Sequence, residues 1–159
     1  MENQVENPYK APEADINTVS EGKLSEVFQR FSAWGVFGLG IITLGIYYIY
    51  WMYSRTQQLN ERISDPIGSG FITATLILYA LSFLSNFVSL ADPMIGGALG
   101  LTGLPAWIMM IIWAFKMRAG IHSYKGIAPG EPNSLGPVLT FFFSSLYLQY
   151  KINYIIDRE

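Results

Sequence analysis

Cysteine is absent from the 159 residues, histidine occurs once, and charged side chains make up only 14%. Each shortage excludes a class of chemistry. Without cysteine there is no disulfide, no thiolate nucleophile and no Cys-based metal site, and the redox compartment stays undetermined. His122 alone, lying beyond the third apolar stretch, leaves any metal without its usual ligands, so no metal and no cofactor are expected. Ten Lys and Arg are scattered along a chain of net charge −2, which offers no nucleic-acid surface. An ordinary soluble domain is about 25% charged. With 51% hydrophobic residues and a mean hydropathy of +0.29, this chain has too little polar surface to enclose what it would bury.

Catalytic apparatus is equally scarce. No Ser-His-Asp set, paired carboxylates or phosphate-binding loop can be assembled, and the GSG at Gly68–Gly70 lacks the third glycine and preceding strand of a dinucleotide site. Asp92, His122 and Glu131 are the only players available to a lipid-modifying enzyme, and they lie in different loops. The chain is therefore read as not an enzyme.

What is present is organised by the gaps between charges. Phe31–Ser54, Ile67–Ala91, Pro93–Phe115 and Pro132–Tyr150 contain no Asp, Glu, Lys or Arg. At about 1.5 Å per helical residue, about 20 residues cross a hydrocarbon core of about 30 Å, and all four stretches reach, the last one barely. The expected fold class is all-α: an integral membrane bundle of four transmembrane helices over about 34–53, 67–90, 104–122 and 135–154. A polar acidic tail over 1–22, with Pro8 and Pro12, is expected to be disordered and to precede a membrane domain over 23–159. It has no basic start or apolar run of a secretory signal, so the first span is expected to act as an uncleaved anchor. In KLSEVFQRF, Leu24, Val27, Phe28 and Phe31 share one face, which suits a helix lying in the headgroup layer or extending the first span.

ITLGIYYIYWMYSRTQQLNE, residues 42–61, changes solvent preference within twenty residues. Tyr47, Tyr48, Tyr50, Trp51 and Tyr53 read as an interfacial aromatic belt, and Arg55 marks the water side. Gly45 either kinks this helix or breaks it into a re-entrant shape, with Thr43 able to satisfy a freed carbonyl. Beyond it a helix is expected to continue to Asp65-Pro66. Asp92 reads as an interfacial turn or capping residue, Asp92-Pro93 and the glycine run over 96–103 as a turn or loop, and Pro105 and Pro137 as first-turn residues of the last two helices.

The best functional lead is a polar face on the second span. Thr75, Tyr79, Ser82, Asn86 and Ser89, with Ser85 beside them, recur at helical spacing, and Thr140, Ser144 and Gln149 on the fourth span are placed to face them. Such a face either lines a hydrated path or bonds to neighbouring helices. Bonding is favoured, because the face has no ionisable group. Two functions follow: a non-enzymatic interaction or structural component, with the bilayer, itself or other membrane proteins as partners, or a small oligomeric transporter or channel subunit. With four spans, the loops over 54–66 and 116–134 share one side and carry five basic residues, against four near the chain ends on the other. The positive-inside rule assigns those two loops to the cytoplasm.

Phe31–Glu61 resembles a bacterial membrane protein family known as domain of unknown function 4234. The residues that carry the likeness are Ile42, Thr43, Gly45, Ile46, Tyr47, Tyr50, Trp51, Arg55 and Asn60, and the ending LYLQYKIN over Leu146–Asn153 also looks like the close of such proteins. The resemblance implies a multi-pass protein of the bacterial cytoplasmic (inner) membrane and no established activity, so it transfers no functional residue.

Overall fold

The computed structural model describes residues 22–128 and 130–159; the expected disordered tail over 1–22 lies, but for Gly22, outside them. Helices α1 (Leu24–Val27), α2 (Ala33–Ile42), α3 (Ile46–Asn60), α4 (Ser69–Ala91), α5 (Pro93–Gly100), α6 (Gly103–Lys125) and α7 (Pro137–Ile156) follow in order, with no strand among the described residues. The all-α class is as read from the sequence. Two helices, rather than four, are long and apolar enough to cross a membrane: Ser69–Ala91 and the joined stretch Pro93–Lys125.

These two pack against each other. Asp92 ends α4 and starts α5, its carboxylate accepting from Met94 N–H at 2.9 Å and Ile95 N–H at 3.1 Å, with Pro93 in the first turn. That is the capping role expected of an Asp-Pro pair. The glycine run that follows is helical, contrary to the expected loop. Leu101 and Thr102 stay in the helical region, so α5 leads into α6 almost without interruption. A backbone at membrane depth must satisfy its own polar groups, and a helix does so however poor its glycine propensity.

The stretch expected to be the first span, 34–53, is divided. Gly45 N–H bonds to Gly40 C=O and Leu44 N–H to Ile41 C=O, the paired closing bonds of a Schellman motif. Leu44 (φ 51°) and Gly45 (φ 93°) both take positive φ, and a leucine there costs about 1 kcal/mol. Thr43 binds the two helix ends together: its hydroxyl donates to Leu39 C=O at 2.6 Å and accepts from Tyr47 N–H at 2.9 Å. The chain then returns. Arg55 reaches Gln29 C=O at 3.0 Å, which a continuous helix over these residues, about 40 Å long, would forbid. Helices α2 and α3 are therefore an antiparallel hairpin. It closes with Tyr48 against Gly40, where a Cβ would strike the ring.

Helix α7 folds back too. Ser144 takes φ 31° and ψ −108°, outside the helical region. A straight helix of 20 residues would separate its ends by about 30 Å. Instead Leu135 N–H bonds to His122 Nε2 while Glu159 bonds to Lys125, so both ends lie beside the last turns of α6. Across this second hairpin the Tyr147 hydroxyl accepts from Gly136 N–H at 2.8 Å.

The core sits where the hairpins embrace the lower half of α6. Trp113, Met117 and Ile121 of α6 pack among Met52 and Leu59 of α3, Leu148 and Ile152 of α7, and Leu24 and Phe28, all fully or nearly fully buried. Helix α1 thus turns its apolar face, Leu24 and Val27, into the core. Toward Asp92 the helices are less covered, and Leu90, Met94 and Leu101 are more than three-quarters exposed.

Candidate functional site

Folding back both hairpins brings the charges together. Lys23, Arg30, Arg55, Arg62, Lys116, Arg118, Lys125, Lys151 and Arg158 all lie at the end where α3 finishes, α4 starts and α6 finishes. So do Glu26, Glu61, Asp65, Glu131, Asp157 and Glu159. Contacts tie this end into one layer: Arg30–Asp157 at 2.8 Å, Lys125–Glu159 at 3.1 Å, Arg118 Nε to Leu135 C=O at 2.6 Å, and Lys116 over the Phe71 ring. Asp92 is the only charge at the far end among the described residues. Lys23 and Glu159 therefore lie at the same end of the described structure as the two basic loops. Counting each apolar stretch as one straight helix separates these charges; the two hairpins bring the ends of their stretches together.

The polar face of α4 divides: Ser82, Ser85 and Ser89 line a seam between helices, and Asn86 is exposed. Ser89, Ser85 and Ser82 stand opposite Gly96, Gly100 and Gly103 in turn. A Cβ at Gly103 would come within 3.0 Å of the Ser82 hydroxyl, and one at Gly96 would overlap the Ser89 backbone. The hydroxyls mostly serve their own helix: Thr75 donates to Phe71 C=O at 2.8 Å, Ser85 to Ser82 C=O at 2.6 Å, and Ser89 to Ser85 C=O at 2.8 Å. The Asn86 amide does the same toward Ser82 and Phe83. Tyr79 turns instead toward Gly45 at the tip of the first hairpin. Small residues here permit close backbone approach, the usual means of joining helices where no water drives association.

A second polar group lies between α3 and α7, and only part of it was legible beforehand. Gln149 is fully buried, and its Oε1 accepts from Trp51 Nε1 at 3.0 Å and from Arg55 at 3.1 Å. Its amide passes to Asn153 Oδ1 at 2.9 Å, and Asn153 bonds both polar groups of the Phe31 backbone. One turn away Trp113 Nε1 donates to the Thr56 hydroxyl at 2.7 Å, which donates to Met52 C=O. Gln149 thus faces α3 rather than the α4 stripe, Ser144 marks the break in α7, and Thr140 bonds back to Gly136 C=O. The expected belt divides in the same way: Tyr50 and Tyr53 are exposed, Tyr47 and Tyr48 half-buried, and Trp51 only 3% exposed, inside the core.

Arg55 is the unusual member. It is 6% exposed, and no carboxylate among the described residues lies within ion-pair distance. Its three hydrogen bonds go to neutral oxygens: Gln58 Oε1 at 3.0 Å, Gln29 C=O and Gln149 Oε1. The Phe28 ring lies 5.4 Å beneath the guanidinium. Beside it opens a cavity of about 170 Å³, lined also by Arg30, Tyr47, Tyr50, Ser54 and Gln58. Arg55 had been read as a marker of the water side. The signal for its actual role was the pair Gln149 and Asn153, four residues apart on one face of an apolar helix.

These features define a small all-α protein with two membrane-length apolar helices, two helical hairpins and an arginine-centred polar cluster. The family model described as a domain of unknown function (DUF4234) matches residues 31–123, which take in α2 to α5, α6 but for its last two residues, and more than half of the chain, and the chain belongs to that family. The match stops short of α7 and of the LYLQYKIN ending. No curated protein and no solved structure matches the chain.

Proposed function

We propose that this is a non-enzymatic interaction or structural component of the bacterial cytoplasmic membrane. It crosses the bilayer twice, through α4 and through α5–α6, while α2–α3 and α7 dip in as re-entrant hairpins from the cytoplasmic side. The observation that carries this reading is the gathering of nine of the ten basic residues at one end, the tenth, Lys10, lying outside the described residues. The positive-inside rule then has a nine-to-none contrast to act on. At the first hairpin tip Tyr79 lies against Gly45, and the Thr43 hydroxyl satisfies backbone groups of both helix ends, as non-helical segments at membrane depth require.

Its partners in this reading are lipid, a second copy of the chain or other membrane proteins, held by the uncovered faces of α4 and α6. Ile77, Leu84, Phe87, Trp107 and Ile112 are all exposed there. A photo-crosslinking residue at Phe87 or Trp107 in native membranes is expected to yield a discrete protein adduct at one of the two. Lipid adducts alone at both positions would overturn the interaction reading. The seam of serine against glycine speaks against a wet path along α4. Cysteine at Ser82, within the seam, and at Asn86, on the exposed face of α4 that this reading turns to lipid, are both expected to resist a water-soluble thiol reagent, and rapid labelling of both would favour a transporter or channel subunit.

A further inference from the structure

We infer that the cavity beside Arg55 is a binding site for a phosphate group, placed to take the headgroup of an anionic phospholipid. A guanidinium is a poor guest in a protein interior unless it is paired, because taking a charge from water costs more than neutral hydrogen bonds return. Arg55 is buried, and its protein partners are all neutral. Those bonds use its two terminal nitrogens and leave Nε without a partner among the described residues. An arginine fork with spare donors is the side chain best matched to phosphate oxygens. The surroundings are of the right kind: Tyr50, Ser54 and Gln58 bring polar groups to the cavity wall, Arg30 adds a second cation, and no acid lines it. The nearest carboxylate partner of Arg30, Asp157, is engaged at 2.8 Å and lies outside the cavity. The cavity also sits at the boundary where the charged layer meets the exposed rings of Tyr50 and Tyr53, the depth of a headgroup phosphate. The lipid assignment rests on the membrane placement proposed above, and the phosphate site itself holds whether or not the chain binds other proteins.

The test uses the full chain, purified in a maltoside detergent and unfolded thermally. The additions are phosphatidylglycerol, phosphatidylcholine, inorganic phosphate, and chloride at matched ionic strength. Phosphatidylglycerol is expected to raise the midpoint by several degrees, with phosphatidylcholine raising it less. A rise with inorganic phosphate as well would assign the site to free phosphate in addition to lipid. The decisive variant is Gln58→Glu, which keeps the shape of the side chain and places a carboxylate at the 3.0 Å contact with Arg55. This internal counter-ion is expected to raise the midpoint without any addition and to remove the response. If neither phosphatidylglycerol nor phosphate moves the wild-type midpoint beyond the chloride control, or if Gln58→Glu responds as the wild type does, the inference fails.

Discussion

Two polar regions of similar composition are used in opposite ways. Along α4, the hydroxyls of Thr75, Ser85 and Ser89 bond to carbonyls one turn back in the same helix, and what joins α4 to α5 and α6 is the absence of side chains at Gly96, Gly100 and Gly103. Between α3 and α7, polar atoms bond across elements: Trp51 and Arg55 to Gln149, Asn153 to Phe31. The first region holds by close approach and dispersion, the second by hydrogen bonds that fix which groups must meet. A seam of small residues tolerates loss of a hydroxyl but not gain of volume. A bonded cluster does not tolerate loss of a partner.

Unfolding of single variants can break this contrast. The largest loss is expected at Gln149→Leu, which leaves Trp51 Nε1 without an acceptor and removes one of three partners of a buried cation. Its cost is about 3 kcal/mol. Next comes Gly96→Leu, at about 2 kcal/mol, because its side chain would meet the Ser89 backbone; Gly97→Leu, with open space around it, should be near neutral. Asn60→Ala removes both bonds that its side chain makes to the Ile67 backbone, each 2.9 Å, and should cost about 1 kcal/mol. Ser89→Ala should cost less than about 0.6 kcal/mol, since its hydroxyl only returns to its own helix. If Ser89→Ala proved worse than Gln149→Leu, the distinction between the regions would be lost.

A gentler test is pH. Burial alone would raise the Glu159 carboxyl, but hydrogen bonds from the Ser25 hydroxyl, the Ser25 and Leu24 N–H groups and Lys125 outweigh it and hold it below its ordinary value of 4.5. A depressed carboxyl stabilises the fold above the unfolded value, and that contribution is lost as pH falls through the folded one. Docking of α1 against α6 and α7 should therefore be complete near neutral pH and weaken below about 4.5. Protease cleavage near Lys23, followed against pH, would report it, and Glu159→Gln should flatten the profile.

Much of this was legible in the residues, and what was not has a common cause. Helix class, the limits of α4 to within two residues, Asp92 as a cap, and Pro105 and Pro137 in first turns all follow from local chemistry. Gly45 and Thr43 pointed to the break between α2 and α3 without fixing its angle, because that angle depends on Leu44 accepting positive φ, which leucine has no propensity to do. Ser144 gave even less warning: serine in an apolar run is common, and only the contacts of Tyr147 and Lys151 with residues before α7 show that the chain reverses there. Hydropathy counts apolar length and is blind to reversal. That is why the charge balance came out nearly even from the sequence and one-sided in the fold.

Sidedness tests the account most directly. Because the chain has no cysteine, single cysteines can be placed at Ser25, Ser64, Gly97 and Glu159 and labelled from each side of sealed vesicles. The account predicts that Ser25, Ser64 and Glu159 label together from the cytoplasmic face and that Gly97 labels from the other. Labelling of Ser64 and Glu159 from opposite faces would contradict it.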